Sequence, residues 1–293
     1  MAEQRQQARE KVHRLEQELF ELSEQIKATE GHCIQAKIRG LRSSYYVFES
    51  NYRWLVTALD YFGRIEVFME LWREDNRTKL ESFIDGVTRL LHNFLAGAQS
   101  LVDHTRVFKN KMYKGHSFKK VYQEKVDRDL KHSPIVCFVQ DLRNYVLHKQ
   151  LPIASAQLSF KGGGGTITEF DSTIKLDVNE LREWDKWKPE SRVYLDSLDD
   201  KVQVREVVEK YEGAIRAFYQ WFGEQQAQVH RVEFDELSKL ETRYEQVRQE
   251  WEEAGNHIPK HSSLAESLVE PSDLVVVHVV EEMGIGVHSL RDR

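Results

Sequence analysis

Ser133-Pro134-Ile135-Val136-Cys137-Phe138-Val139-Gln140-Asp141-Leu142-Arg143-Asn144-Tyr145-Val146-Leu147-His148 is the stretch from which the rest of the chain can be read. Ser133 is a residue type favoured at helix N-caps, and Pro134 has the backbone φ that a first helical position needs. Ile135, Val139, Leu142 and Val146 then recur at intervals of four, three and four. That spacing predicts an amphipathic helix over residues 133–150 with one buried stripe, stopped before Pro152. Its last turns carry Arg143 and His148 with four residues between them. Asn144 and His148 share a face, and Arg143 lies about 100° round from Asn144, so the three can edge one surface beside the stripe.

A guanidinium that keeps its charge and an imidazole that titrates near neutral pH can together grip a phosphodiester and move a proton without a metal. Spacing alone is weak, because 22 Arg and 12 His in 293 residues give roughly one Arg-x4-His pair by chance. Requiring Asn, Asp or His after the Arg lowers that to about 0.12, and the helical context adds the rest. The segment Asp141 to His148 resembles the Arg-polar-x3-His signature of HEPN domains, an all-helical family that includes many toxin, phage-defence and CRISPR-associated ribonucleases. The resemblance covers about 70 residues, from roughly Lys79 to Pro152.

The resemblance implies a mainly α protein with a HEPN-like helical bundle and a metal-independent endoribonuclease activity. Arg143 and His148 are then the catalytic pair, and Asn144 is the polar neighbour that orients them. It also implies a homodimer in which two copies of the motif meet, RNA as substrate, no metal or cofactor, and a toxin or antiphage-defence setting with an antitoxin or other defence partner. One departure bears on regulation. HEPN toxins neutralised by a nucleotidyltransferase often carry Tyr two residues after the His, whereas this chain reads His148-Lys149-Gln150. The alternative reading of the motif is structural, with Arg143 capping the helix C-terminus and His148 packed on a loop.

At 293 residues and 40% apolar content the chain can bury a substantial core as one large or two modest domains. The first thirty residues are rich in Glu, Gln, Arg and Lys, unlike a signal peptide. The longest apolar run, Leu274 to Val280, is interrupted by His278 and too short to span a bilayer. The expectation is a cytoplasmic protein without membrane contact. Its two cysteines, Cys33 and Cys137, read as reduced thiols, Cys137 buried in the 133–150 helix.

Helices dominate the remainder. Val12, Leu15, Leu19, Leu22 and Ile26 form a coiled-coil-like seam in residues 1–30, and Leu237, Leu240, Tyr244, Val247 and Trp251 form another. The two seams pair either with each other or across a dimer. Leu80, Phe83, Val87, Leu91, Phe94, Ala98 and Val102 mark a long core helix within a helical core of residues 31–152. Val204, Val208, Tyr211, Ile215, Phe218 and Phe222 place more helix in residues 178–253, either one helix or two joined near Gly223.

Residues 153–177 break the pattern. Leu158-Ser159-Phe160, Thr166 to Phe170 and Thr173 to Leu176, with Gly162 to Gly165 between the first two, read as a small β-hairpin insertion or three-strand meander. Those glycines are no phosphate-binding loop, since Lys161 precedes them and a strand follows. Residues 254–293 read as a tail that either adds a strand or stays a mobile appendage. His257 and His261 in it straddle Pro259 and make a poor metal pair.

The net charge of -6 argues against indiscriminate nucleic-acid binding, yet Arg106 to Lys131 holds nine Lys or Arg against three acids, a local +6. Phe108, Tyr113, Phe118 and Tyr122 are interleaved. Cations attract phosphates and aromatic faces stack bases, so Arg106, Lys109, Lys111, Lys114, Lys119 and Lys120 become the candidate path for single-stranded RNA. The alternative is a solvated loop with a few core aromatics. Two rival functions stay open, a coiled-coil adaptor or RNA-binding module without catalysis and an accessory subunit whose HEPN-like core only binds an enzyme.

Overall fold

The computed structural model describes residues 2–149, 154–163 and 166–256. These are mainly helical: α1 (Ala2–Ala28), α2 (Glu30–Phe62), α3 (Ile65–Leu71), α4 (Arg77–Met112), α5 (Phe118–Val126), α6 (Pro134–His148), α7 (Val178–Arg182), α8 (Pro189–Asp196), α9 (Val204–Val229) and α10 (Arg231–Asn256). A small antiparallel sheet joins β1 (Ala154–Gly163), β2 (Thr166–Asp177) and β3 (Lys201–Gln203) in that order. Among the described residues no helix is long and apolar enough to cross a membrane. The described parts of 1–40 and 222–270 form one compact unit, and those of 41–221 form another.

In the first unit the two heptad seams meet within one chain. Leu15 and Leu22 of α1 are buried with Val247 and Ala254 of α10, and Val12, Leu19, Leu240, Tyr244 and Trp251 pack round them. Arg243 donates to Glu18 at 2.6 Å and Trp251 Nε1 to Glu16 at 3.3 Å, which sets the two helices antiparallel. Of the two pairings the sequence allowed, the structure has the intramolecular one. Thr29 separates α1 from α2 and caps the latter, its Oγ1 accepting the His32 N–H at 3.1 Å. Gly31 follows because a Cβ there would lie 2.3 Å from the Glu233 carbonyl oxygen. The long C-terminal helix breaks at His230, not near Gly223. A Cβ at Gly223 would meet nothing within 4 Å, so this glycine serves no tight approach and the helix runs through it.

In the second unit the α4 stripe is buried as its spacing predicts, from Phe83, Val87, Leu91 and Phe94 to Ala98, and Leu90, Leu95, Leu101 and Thr105 widen it. Phe48 of α2, Phe94 of α4 and Tyr211 of α9 form its centre, with ring centroids 5.5 to 6.0 Å apart. Gly97 lets α2 come close, since a Cβ there would meet Asn51 Nδ2 at 3.0 Å and the Phe48 Cα at 3.5 Å.

The β segment is a hairpin, with Ala154 opposite Leu176, Phe160 opposite Phe170 and an irregularity at Lys161/Gly162. Thr173 to Leu176 continue β2 and are not a third strand. The third strand is Lys201–Gln203, where Val202 pairs with Leu176 and both are buried. Gly164, Gly165, Pro152, His257, His261 and the tail from Ser262 lie outside the described residues.

Candidate functional site

Helix α6 starts at Pro134 as its sequence says and ends at His148, two residues short of the expected 150, while Ser133 makes no side-chain cap and contributes the carbonyl that accepts the Cys137 N–H at 3.0 Å. The buried stripe is rotated and wider than the four-three-four spacing suggests. Phe138, Leu142 and Tyr145 are fully buried and Val139 nearly so, whereas Ile135 and Val146 are half-buried. The cause is an aromatic wall beyond α7. Trp187 stacks on Phe138 at 5.4 Å and on Tyr145 at 5.9 Å, Trp184 meets Tyr145 edge-on at 5.6 Å, and Tyr194 of α8 lies 4.9 Å from Phe138.

Asp141 fixes the register of this packing, a role sequence reasoning missed. It is 2% exposed, and its carboxylate accepts the Lys188 backbone N–H at 3.0 Å, the Lys188 ammonium at 2.7 Å and the Ser191 hydroxyl at 2.7 Å. A carboxylate at the start of α8 satisfies donors that the first helical turn leaves open and faces the positive end of its dipole. The only sequence signal was an acid inside an otherwise apolar arc of α6.

Two residues on, Arg143 and Asn144 are half-buried and joined, Arg143 Nη1 donating to Asn144 Oδ1 at 3.2 Å. His148 is exposed on the last helical residue. The C-terminal turn is closed by the Lys149 N–H to the Tyr145 carbonyl at 2.8 Å, and Lys149 sits 5.5 Å over the Tyr145 ring. Arg143 thus holds the side chain next to it, and among the described residues no carboxylate neutralises its charge. At 100° per residue Cys137, Gln140, Asn144 and His148 fall within about 80°, and Arg143 flanks them on the Gln140 side.

The basic segment keeps its charge but not its stacking platform. Tyr113, Phe118 and Tyr122 are 0%, 3% and 6% exposed, so they cannot receive bases as expected from the sequence. Tyr113 packs edge-on against Phe118 at 4.7 Å and against Phe108 at 6.1 Å, and Tyr122 meets Phe218 of α9 at 5.6 Å. Phe118 and Tyr122, four apart on one short helix, already share the inward face of α5. Lys111, Lys114, Lys119 and Lys120 are exposed, Lys120 beside Glu124 at 3.9 Å. Arg106 pairs with Asp103 at 3.3 Å. The three acids are taken up locally, since Lys125 and Arg128 reach Asp129 at 2.6 and 2.7 Å and Lys131 reaches Asp127 at 3.2 Å.

Arg106 and Lys109 line a cavity of about 380 Å³ between α4, α5, α6 and α9, a feature with no counterpart in the sequence reading. Four cations, Arg106, Lys109, Lys131 and Lys188, line it against the single carboxylate of Glu190. Cys137 and Gln140 of α6 contribute to its wall. The Cys137 thiol donates to the Lys131 carbonyl at 3.2 Å, and burial, with the Glu190 charge, pushes its pKa up, so it is no activated nucleophile. Among the described residues no group of three His, Cys, Asp or Glu is placed to hold a metal ion. Compared with protein-family models, with curated proteins and with solved structures, the chain finds no match.

Proposed function

We propose that this chain is a metal-independent endoribonuclease of HEPN type, cutting RNA by attack of the ribose 2′-OH on the adjacent phosphorus. The observation that carries the reading is the Arg143 guanidinium, without a carboxylate partner among the described residues and oriented by Asn144 Oδ1 at 3.2 Å, on the helix whose last residue is the exposed His148. His148 takes the proton from the 2′-OH or gives one to the leaving 5′-oxygen, a role worth roughly 10²- to 10⁴-fold. Arg143 holds the scissile phosphate and stabilises the charge that builds on it, with two prongs that a lysine lacks. Arg143 and His148 lie about 140° apart round one helix. A site drawing Arg and His from the α6 helices of two chains answers that separation, so the active form is a homodimer.

The basic flank supports RNA as the ligand. Lys111, Lys114 and Lys119 project without acidic partners among the described residues, and Arg106 and Lys109 continue the positive surface to the α6 side. A toxin or antiphage-defence role fits an RNA-cutting activity of this kind. The test is cleavage of mixed cellular RNA by wild type, Arg143→Ala and His148→Ala. Wild type cuts, and both folded variants lose cleavage and any growth arrest on expression. A folded variant with wild-type cleavage removes its residue from the site. Light scattering gives twice the chain mass, and a monomer that still cuts RNA removes the shared site.

The second reading, an RNA-binding scaffold without catalysis, draws on the same four-cation cavity. It predicts binding by wild type and by both variants, with no cleavage by any of them.

A further inference from the structure

Of the four cations that line the cavity, Lys109 is the one without a carboxylate partner among the described residues. Around the cavity Arg106, Lys131 and Lys188 each have a carboxylate partner, Asp103, Asp127 and Asp141 in turn. The Lys109 ammonium has none among the described residues and instead sits 5.2 Å from the centroid of the Tyr122 ring. Its surroundings disfavour the charge, since burial and then the Lys119 and Arg106 cations lower its pKa. A half-buried cation in a positive field, lining a cavity, is matched by an anion from outside.

The rest of the cavity describes what the anion is attached to. Besides the cations and Glu190 the lining includes the apolar Val102, Val126, Ile215 and Phe218, with Gln123 and Gln140 as polar side chains able both to donate and to accept. A volume of about 380 Å³ lies within the range of small-ligand sites and exceeds what a lone phosphate needs. Apolar side chains for a flat ring, two amides for its edge and a cation pair for a phosphate fit one chemical class.

We propose that the cavity between α4, α5, α6 and α9 binds a nucleoside phosphate, its phosphate on Lys109 and Arg106 and its base against the Ile215 and Phe218 wall. The proposal stands whether or not Arg143 and His148 cut RNA. The same chemistry has two sources, a free mononucleotide or one nucleotide of an RNA strand. Gln140 and His148 lie about 12 Å apart along α6, so a strand lodged here by one nucleotide passes along the Asn144 side of the helix.

The experiment is isothermal titration of the full chain, in low salt, with AMP, UMP, adenosine, inorganic phosphate and a ten-nucleotide single-stranded RNA. AMP or UMP binds saturably at one site per chain, at least tenfold tighter than adenosine or phosphate. Lys109→Met, which keeps the stem and removes the charge, weakens that binding at least tenfold, as does Gln140→Trp, which fills the cavity. Lys79→Met, at the other end of α4, and His148→Ala leave it unchanged. RNA binding at least tenfold tighter than AMP, with the same loss in Lys109→Met, assigns the cavity to a strand, and equal affinities assign it to a free nucleotide. Absence of saturable nucleotide binding, equal binding of phosphate alone, or unchanged binding in Lys109→Met overturns the proposal. Because His148→Ala is silent here and decisive in the cleavage assay, the two ideas fail separately.

Discussion

Asp141 and Ser191, 50 residues apart in sequence, are joined by a 2.7 Å hydrogen bond from the serine hydroxyl to a carboxylate that is 2% exposed. With the two Lys188 contacts it makes Asp141 the polar anchor between α6 and α8. Asp141→Ala leaves the Lys188 N–H and the Ser191 hydroxyl without their acceptor, a loss of about 2–4 kcal/mol in urea unfolding. Arg143→Ala, two residues along and half-buried, costs under about 1 kcal/mol. The reverse order of these two losses would show that the anchor has been misassigned.

Gly31 tests the packing of α2 on α10. Helix propensity alone favours Gly31→Ala by roughly 1 kcal/mol. The new Cβ, however, would stand 2.3 Å from the Glu233 carbonyl oxygen, which belongs to a helix backbone and cannot swing away. Overpacking of this kind costs about 1–3 kcal/mol, so the expected net change is a destabilisation. A rise in melting temperature would mean that the two helices separate freely.

The seam between α1 and α10 predicts a second stability loss. Leu15 is 3% exposed, and Leu15→Ala is expected to cost about 2–4 kcal/mol. Since the pairing lies within one chain, the loss should not depend on protein concentration. A melting temperature that climbs with concentration in this variant alone would instead place the seam between chains.

Glu212 predicts a pH dependence. It is 5% exposed, and burial raises its pKa, against the pull of Arg216 at 3.3 Å and with added repulsion from Glu49. A carboxyl whose folded pKa lies above its unfolded value contributes stability that is whole below the unfolded value and is lost as pH rises through the folded one. Glu212→Gln should therefore gain on wild type as pH rises from the ordinary carboxylate range through the raised folded value, and then hold level. Parallel urea midpoints for the two proteins across that range would contradict the assignment.

The helices were legible because their signals are local. Ser133-Pro134 opens α6, the α4 stripe from Leu80 to Val102 repeats over about six turns, and each heptad seam is visible by itself. Asp141 was hidden because its partners Lys188 and Ser191 lie 47 and 50 residues away, and no local spacing distinguishes a buried acid from a solvated one. β3 was missed because three residues, Lys201 to Gln203, are too few to establish an alternation. The aromatics of the basic segment left two readings open, base-stacking faces or core side chains, and the buried Tyr113, Phe118 and Tyr122 follow the second, in line with the four-residue step from Phe118 to Tyr122. The cavity draws on four helices at once, so no segment announced it. Arg143, Asn144 and His148 were found by motif alone, and the structure adds the Arg143–Asn144 contact and the exposure of His148.

Transesterification by an Arg/His pair needs the substrate's own 2′-OH and no added metal. The most direct measurement is therefore cleavage, in excess EDTA, of one RNA and of the same RNA with a single 2′-deoxy substitution 5′ to the cut. The intact RNA should yield a 2′,3′-cyclic phosphate, and the substituted RNA and a matching DNA should survive. Cutting of the substituted strand, or activity that vanishes in EDTA and returns with Mg²⁺, would contradict the assignment of Arg143 and His148 as the catalytic pair.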